Sequence, residues 1–247
     1  MDRKGEKTRL DQLVVACGLC STRQKAKAVI MAGQVLVDGR RVDKPGTFVP
    51  SGSSIDLIRK GTSYVSRGGL KLEQALHHFS VDVTGLTIMD VGASTGGFSD
   101  CLLKHGAGRI IAIDVGYGQL DWTLRCDPRI EVRERTNARY LKPDEFDEVI
   151  DGAVIDVSFI SLRLIVPAVM RLLRKASFII ALIKPQFEVG KGQVGKGGVV
   201  RDSALHQEVI ESLDRFFRDT GLTPDGVIPS PILGPKGNRE FLTHLKL

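Results

Sequence analysis

The chain from residue 86 to its end alternates between short apolar runs and amphipathic segments, and this pattern limits the possible folds more than any other feature. Seven runs have the length and composition of strands: LTIMDV, RIIAID, IEVRE, GAVIDV, SFIIALI, DGVIPS and REFLTHLKL. Helical patterns stand between most of these runs. Because strands that alternate with helices form a sheet covered on both faces, the sequence predicts a mostly parallel α/β fold.

The first quarter of the chain differs from the rest in charge. Residues 1–60 contain 12 Lys or Arg and 6 Asp or Glu, which accounts for the whole formal charge of +6. Such asymmetry favours an appendage that binds a polyanion, although a solvated helix face is the alternative for these charges.

Residues 9–59 have the pattern of a small α+β module. Two helical segments are followed by two alternating half-strands around Asp38-Gly39, which is a strong hairpin signal, and then by the short strand SIDLI. We expect Ser21 to cap the second helix and Gly33 to end it. The positive side of that helix carries Arg23, Lys25 and Lys27.

Two function classes are disfavoured by what the sequence lacks. No apolar run reaches the length of a membrane-spanning helix, and the N-terminal residues do not form an apolar signal region. The four cysteines are Cys17, Cys20, Cys101 and Cys126. Because the CxxC pair at Cys17 has no second pair to complete a zinc site, we expect reduced thiols and no metal. The sequence therefore predicts a cytoplasmic protein.

A glycine-rich loop, DVGASTGGF at residues 90–98, follows the first strand of the alternating region and opens a helix. Gly92, Ser94 and Gly97 have the spacing of a dinucleotide fingerprint, but the middle glycine of that fingerprint is missing. Asp90 would repel a pyrophosphate, whereas it would attract a sulfonium and an ammonium group. The loop therefore favours S-adenosylmethionine over a nicotinamide cofactor.

Two further residues are candidates for contact with a bound nucleoside. Asp114 ends the second strand of the alternating region, where a carboxylate can accept both ribose hydroxyls. Asn137 follows the third strand and could contact the adenine, although a helix cap or loop residue is the alternative.

Four ionisable residues occupy positions where a sheet of this kind places its chemistry. Lys71 lies at the start of the first helix of the large region, and Glu240 begins the last strand. Asp156 and Lys184 end successive strands, so we expect them to share the carboxyl edge of the sheet. Structural ion pairs at strand ends are the alternative interpretation.

The motifs SRGGLKLEQAL, DVGASTGGFSD, DVSFISL, LIKPQFE and GNREF resemble the TlyA, or haemolysin A, family of ribosomal RNA methyltransferases and the wider FtsJ-like ribose 2′-O-methyltransferases. The module at residues 9–59 resembles the alpha-L RNA-binding motif of ribosomal protein S-four. This resemblance implies a Rossmann-like methyltransferase sheet, mostly parallel with the last strand antiparallel, and a small α+β RNA-binding domain. The implied domains are residues 1–60 for RNA binding, 61–69 as a linker and 70–247 for methyl transfer.

The resemblance also assigns roles. It implies S-adenosylmethionine as donor and cytidines of 16S rRNA, 23S rRNA or both as targets, on free ribosomal RNA or ribosomal subunits. The catalytic tetrad would be Lys71, Asp156, Lys184 and Glu240. The donor would contact Asp90, Gly92, Ser94, Gly96, Gly97, Phe98, Asp114, Asn137 and Asp156. The RNA would contact Arg9, Arg23, Lys25, Lys27, Arg40, Arg41, Arg67, Lys191 and Lys196.

Within the tetrad we expect Lys184 to be the central base, since a neutral amine can accept the proton of a sugar hydroxyl. Lys71 would hold the oxygen or a phosphate, Asp156 would orient Lys184, and Glu240 would fix Lys71 or the ribose. We expect positioning of methyl and oxygen to contribute more than proton transfer.

Residues 187–202, FEVGKGQVGKGGVVRD, predict a mobile lid that closes over the target nucleotide, with Lys191 and Lys196 on phosphates. An inert surface loop is the alternative. Phe187 could stack on the target base or pack in the core. Two other functions remain open: a non-catalytic RNA-binding protein that keeps a relic cofactor fold, and a membrane-active haemolysin-like protein.

Overall fold

The computed structural model describes residues 7–20, 22–57, 63–190, 192–195 and 197–247. By its internal contacts the chain divides into two compact units. The N-terminal unit comprises Met1–Thr62 and Asp121–Cys126, and the large unit comprises Ser63–Leu120 and Asp127–Leu247. The domain limits at residues 60 and 70, with a linker between them, stay a prediction.

The described residues before position 58 in the N-terminal unit form two helices and two small sheets. Its elements in the first 57 residues are β1 (Lys7–Arg9), α1 (Leu10–Ala16), α2 (Arg23–Met31), β2 (Val35–Val37), β3 (Arg40–Val42), β4 (Phe48–Pro50) and β5 (Ile55–Leu57). The strand β2 pairs with β3 and β5, while β1 pairs with β4, and all these pairs are antiparallel. The β1–β4 pair was not predicted. The core consists of Leu10, Leu13, Val14, Ala26, Ile30, Val35, Val37 and Val49.

The predicted hairpin and helix stop are confirmed, whereas Ser21, the predicted cap, lies outside the described residues. Asp38 and Gly39 have φ of 49° and 77°, the left-handed backbone that a two-residue hairpin turn requires. Gly33, with φ of 64°, follows the end of α2. The cap is Thr22, whose hydroxyl accepts a hydrogen bond of 3.2 Å from the amide of Lys25, because Thr22 directly precedes the first helical residue.

The large unit is built on one seven-stranded sheet. Its strands are β6 (Thr87–Val91), β7 (Arg109–Ile113), β8 (Ile130–Arg133), β9 (Gly152–Ile155), β10 (Phe178–Ile183), β11 (Thr223–Pro229) and β12 (Phe241–Lys246). The order across the sheet is β11-β12-β10-β9-β6-β7-β8, and β12 runs antiparallel to both of its neighbours. All seven predicted strands, and the antiparallel last strand, are therefore confirmed.

Helices cover both faces of this sheet. The helices from residue 63 onward are α3 (Gly68–His78), α4 (Gly97–Lys104), α5 (Trp122–Arg125), α6 (Leu162–Met170) and α7 (Ser203–Asp219), of which α5 groups with the N-terminal unit. Apolar residues of α6 and α7 share one core with alternate residues of β6, β7, β9 and β10. Because α3 packs against α4 and β12, the same sheet is a buried layer between helices, which explains its continuous apolar strands.

The chain order reverses within the sheet between β6 and β9. The strands that follow β6 in sequence, β7 and β8, lie on one side of it, whereas β9 and β10 lie on the other side. Val91 pairs with Ile155, so the two strands end level and are followed by Gly92 and Asp156. Open α/β sheets bind ligands at such a switch point, outside the carboxyl ends of the strands.

Residues 63–67, which belong to the predicted linker 61–69, are anchored on the large unit. Tyr64 is buried, and its hydroxyl donates to Glu73 at 2.7 Å. The amide of Val65 donates to Asp100 at 2.7 Å, and Lys104 donates to the carbonyl of Ser63. These contacts fix the start of α3.

Candidate active site

Four side chains of the large unit form one connected row. Lys71 Nζ lies 2.6 Å from Glu240 Oε2 and 3.9 Å from Asp156 Oδ2, and Lys184 Nζ lies 2.6 Å from Asp156 Oδ1. The charges alternate along the row. Both lysine side chains are only 9% exposed and Glu240 is fully buried, whereas Asp156 is 22% exposed. The structure therefore brings together all four residues of the predicted tetrad.

The fold explains how residues so distant in sequence meet. Asp156 and Lys184 directly follow β9 and β10, which are parallel neighbours. Glu240 directly precedes β12 rather than beginning it, and an antiparallel strand starts at the edge where its parallel neighbours end. The first turn of α3 supplies Lys71.

The row has energetic consequences for each of its members. Ammonium and carboxylate groups are desolvated here, and such groups are tolerated only when they are paired. Removing one partner of a buried pair costs about 3–5 kcal/mol, because the remaining charge is left uncompensated. The alternation of two positive and two negative groups keeps the row neutral as a whole.

Two clefts of the large unit meet beside this row. The Asn137 cleft has a volume of about 510 Å³ and lies over the ends of β6, β7 and β9. It is lined by, among others, Gly92, Ser94, Asp114, Asn137, Asp156, Ser158 and Phe159. The Lys71 cleft has a volume of about 590 Å³ and is lined by, among others, Arg67, Lys71, Gly92, Ser94, Gly97, Phe98, Asp156 and Ile232–Pro235. The two clefts share Gly92, Ser94 and Asp156.

The glycine loop has a backbone conformation and close contacts that suit only glycine where the two clefts join. Gly92 has φ of 87°, and a Cβ on it would lie 2.5 Å from the carbonyl oxygen of Asp156. Gly96 has φ of 92° and precedes the first residue of α4. A Cβ on Gly97 would lie 2.9 Å from the amide nitrogen of Gly69, so this glycine is needed where the start of α3 packs on α4.

Asp114 is held in place by backbone groups of the loops around it. Its two carboxylate oxygens accept hydrogen bonds from the amide of Ser94 at 2.8 Å and from the amide of Gly116 at 2.6 Å. A carboxylate oxygen can accept more than one hydrogen bond, so Asp114 keeps acceptor capacity in the Asn137 cleft. This arrangement suits a pair of sugar hydroxyls.

Asn137 caps a short helical turn, which was the alternative to contact with the adenine. It also lines the Asn137 cleft. Its Oδ1 accepts a hydrogen bond of 3.1 Å from the amide of Arg139 and so begins the short 3-10 turn Ala138–Tyr140. The side-chain amide nitrogen is the group with which Asn137 could donate to a ligand.

Asp90 is not among the residues that line either cleft, and the expected contact of its carboxylate with the donor stays a prediction. Met89 and Val91 face the core that contains α6 and α7, and side chains alternate along a strand, so Asp90 points to the opposite face. There its Oδ2 accepts a hydrogen bond of 2.6 Å from Ser99. Its Oδ1 has no partner among the described residues. Burial raises the pKa of Asp90 to about 7, and the negative charges of Asp156 and Asp114 add to this effect.

We expect Asp90→Asn to remove a pH dependence of folding. Because the pKa is higher in the folded chain than the ordinary value of about 4, the folded state binds the additional proton between about pH 4 and pH 7. Stability therefore falls as the pH rises through this window, by at most about 4 kcal/mol. Thermal unfolding measures this effect. Between pH 5 and pH 8, the unfolding temperature of the variant should rise by several degrees relative to that of the wild type. Parallel curves would contradict this.

Two residues of the site were missed by sequence reasoning. Ser158 accepts a hydrogen bond of 2.9 Å from Lys184 Nζ. Phe159 is 91% exposed, has φ of 63°, and lies 5.0 Å from Phe187 between ring centroids. Both belong to the motif DVSFISL, from which only Asp156 was selected. Their position two and three residues after a strand-end carboxylate is the signal that could have found them.

The predicted RNA contacts lie in both units. In the N-terminal unit, Lys25, Lys27 and Arg40 are exposed, Arg9 and Arg23 bind Asp11, and Arg41 donates to the carbonyl of Gly33 at 2.6 Å. In the large unit, Arg67 is exposed and lines the Lys71 cleft. Lys191 and Lys196 lie outside the described residues. The segment between residues 187 and 202 is joined to the loop before β12 by Asn238, which accepts from the amide of Val200 at 3.1 Å.

The described part of the chain contains neither a metal site nor a membrane span. No cluster of three or more His, Cys, Asp or Glu residues there has a geometry suited to a metal ion. None of the described helices combines the length and the apolar character that crossing a bilayer requires.

The sheet order, the glycine loop at the switch point and the cleft beside it define a Rossmann-like methyltransferase. A model of FtsJ-like methyltransferases matches residues 64–247, and a model of the S4 domain matches residues 8–55. The chain therefore belongs to the FtsJ-like methyltransferase family and carries an S4 domain at its N-terminal end. The predicted family and fold class are confirmed.

Three similar proteins cover nearly the whole chain. The protein YqxC of Bacillus subtilis (strain 168) is 49% identical over 97% of this chain and 86% of its own length. The 16S/23S rRNA (cytidine-2′-O)-methyltransferase TlyA of Mycobacterium tuberculosis is 44% identical over 97% of this chain and 90% of its own length. A solved structure from Streptococcus thermophilus that carries the name hemolysin has a TM-score of 0.74 at 46% identity and covers 97% of this chain and 88% of its own.

Proposed function

We propose that this protein transfers a methyl group from S-adenosylmethionine to the 2′-hydroxyl of a cytidine in ribosomal RNA. The observation that carries the proposal is the buried row of Glu240, Lys71, Asp156 and Lys184 beside two adjoining clefts. A transfer between two substrates needs a place for each of them and reacting groups where the places meet. The similarity to the Mycobacterium tuberculosis enzyme supports the choice of ribosomal RNA and cytidine.

The donor belongs in the Asn137 cleft. The volume of about 510 Å³ lies within the range of cofactor sites, and the cleft combines apolar walls with a few fixed polar groups. Asp114 would accept the ribose hydroxyls, and the tight turn at Gly92 lets the backbone approach the amino acid part closely. When bound, S-adenosylmethionine supplies an electrophilic methyl group on a sulfonium. Asp156, shared by both clefts, would face that positive charge.

The target nucleotide belongs in the Lys71 cleft. Arg67 and Lys71 give this cleft positive charge that suits the phosphate groups of RNA, and Ile232 and Leu233 give it an apolar wall. Phe159 is exposed at the rim of the neighbouring cleft and pairs with Phe187, which makes the pair a candidate platform for stacking a base.

Lys184 is the group that would take the proton from the 2′-hydroxyl. Its Nζ is fixed by Asp156 at 2.6 Å and by Ser158 at 2.9 Å, and of these two partners Asp156 lines both clefts and Ser158 lines the Asn137 cleft. Lys184 must first give up the proton that it carries in the ion pair with Asp156. As the hydroxyl oxygen then bonds to the methyl carbon in place of the donor sulfur, which keeps the electron pair of the broken bond, the free amine accepts the hydroxyl proton and Asp156 stabilises the ammonium that results. Lys71, held by Glu240, would fix the sugar or its phosphate so that oxygen and methyl are in line.

The S4 domain would supply the second contact with RNA, and its presence supports ribosomal RNA or ribosomal subunits as partners and a cytoplasmic location. We expect the double variant Lys25→Ala/Lys27→Ala to bind ribosomal RNA several-fold more weakly. Each phosphate contact that is lost should lower the slope of log affinity against log salt by about 0.7–0.9. Filter binding between 50 and 300 mM salt measures this slope, and Lys175→Ala, an exposed lysine of the large unit, is the control. An unchanged slope would contradict the role of this helix.

Transfer of radioactive methyl groups tests the function itself. The protein is incubated with labelled S-adenosylmethionine and with purified small or large ribosomal subunits, or with their free RNA. We expect label in the RNA of at least one particle. Donor binding without transfer to any RNA would instead indicate a non-catalytic RNA-binding protein.

A further inference from the structure

The carboxylate of Asp11 in the N-terminal unit is wholly buried and is bound by two arginines. Arg9 donates from Nε and Nη2 to its two oxygens at 3.1 and 3.2 Å, and Arg23 donates from Nε at 2.9 Å. The hydrogen bond from Arg9, with a smaller effect of Arg23, lowers the pKa of Asp11 to about 2 against the cost of its burial. The carboxylate is therefore charged at any physiological pH.

The two arginines that share this carboxylate still face solvent. The side chain of Arg9 is 36% exposed and that of Arg23 is 48% exposed. A guanidinium carries five N–H donors, so each arginine keeps donors beyond those that Asp11 uses. Arg9 ends β1, whereas Arg23 begins α2, so their shared partner fixes the distance between donors that come from different elements.

We propose that Asp11 is a positioning residue that holds Arg9 and Arg23 as a preformed pair of forks for two phosphates of an RNA backbone. The proposal rests on the proposed function of this unit in RNA binding. A free arginine loses rotamer freedom when it binds a phosphate, whereas an arginine that is already held loses less. A planar guanidinium also matches phosphate geometry, which a lysine ammonium does not.

A positioning role for Asp11 and a simple count of charges predict opposite changes in RNA affinity when Asp11 is removed. Asp11 adds a negative charge near the RNA, so its removal should strengthen binding if only net charge mattered. If Asp11 positions the arginines, its removal should weaken binding. If Asp11 only joins α1 to α2, its removal should lower the stability of the unit and leave the affinity of the folded protein unchanged.

The experiment uses the full chain with Asp11→Asn, which keeps the shape of the side chain but places an amide N–H group against a guanidinium. Affinity for purified, protein-free 16S and 23S ribosomal RNA is measured between 50 and 300 mM salt, with thermal unfolding to show that the variant is folded. We expect binding about tenfold weaker, with an unchanged salt slope because the number of phosphate contacts is the same.

The matched control is Asp43→Asn, which removes an exposed carboxylate of the same unit. We expect this control to bind RNA as tightly as the wild type or slightly more tightly. A folded Asp11→Asn protein that behaves like the control would overturn the proposal.

Two double variants keep the test decisive if Asp11→Asn does not fold. Arg9→Lys/Arg23→Lys keeps every charge but loses the forks, so we expect weaker binding, and wild-type affinity would overturn the proposal. Arg9→Ala/Arg23→Ala should weaken binding and lower the salt slope. If the alanine pair weakens binding and the lysine pair does not, the positioning role fails while RNA binding by this unit stands. If neither pair has an effect, both fail.

Discussion

Lys184→Ala should lower the rate of methyl transfer by roughly 1,000-fold or more while affinities for donor and RNA change little. General base catalysis contributes about 10²–10⁴ in rate, and the variant also removes the partner of Asp156 at the meeting point of the clefts. Single-turnover transfer of labelled methyl groups measures the rate, and separate titrations measure both affinities.

Two other variants serve as comparisons for Lys184→Ala. Ser158→Ala leaves Lys184 in place but removes one of the two groups that orient it, so we expect a smaller loss of rate. Lys175→Ala changes an exposed lysine of the same unit and should have no effect. Full turnover by Lys184→Ala would exclude Lys184 from the mechanism and return the row to the structural ion pairs that were the alternative interpretation.

Gly92→Ala should reduce the affinity for S-adenosylmethionine by at least about 100-fold. The substitution places a Cβ at 2.5 Å from the carbonyl oxygen of Asp156, and the alanine would have to adopt the φ of 87° that Gly92 has. Left-handed backbone alone costs a non-glycine residue roughly 1–2 kcal/mol, and the overlap must also push the ends of β6 and β9 apart. Calorimetric titration with the donor measures the affinity.

Gly85→Ala is a control that has the backbone strain of Gly92→Ala but not its steric overlap. Gly85 has φ of 72°, but a Cβ on it would have no atom within 4 Å. We expect Gly85→Ala to lose roughly 1–2 kcal/mol of stability and to keep its donor affinity. If Gly92→Ala binds the donor as well as Gly85→Ala does, the cleft beside Gly92 is not the donor site.

The sheet could be predicted from sequence because its strands are buried on both faces. Strands such as β9 and β10 are continuous apolar runs that are followed directly by an ionisable residue, and this pattern predicts both the strands and the edge of the sheet that carries the site. The pair of β1 and β4 was not predicted, since three-residue strands that belong to different parts of the chain leave no periodicity to detect.

The sequence predicted which residues form the candidate site, but it did not predict where every side chain points. Sequence position singled out all four residues and placed Asp156 and Lys184 at one edge, and the family resemblance then assigned the four to a tetrad. The contact between Lys71 and Glu240 spans 169 positions of sequence. Asp90 was assigned to the cleft from its nearness to the glycine loop. Because β6 continues to Val91, the strand alternation turns Asp90 towards Ser99 instead.

The most direct test maps 2′-O-methyl groups by mass spectrometry on ribosomal RNA that has been incubated with the protein and S-adenosylmethionine. The proposed mechanism predicts a 2′-O-methylcytidine that forms with the wild-type chain and is missing with Lys184→Ala. A methyl group on a base, or the same sugar methylation with Lys184→Ala, would contradict a ribose hydroxyl activated by this lysine.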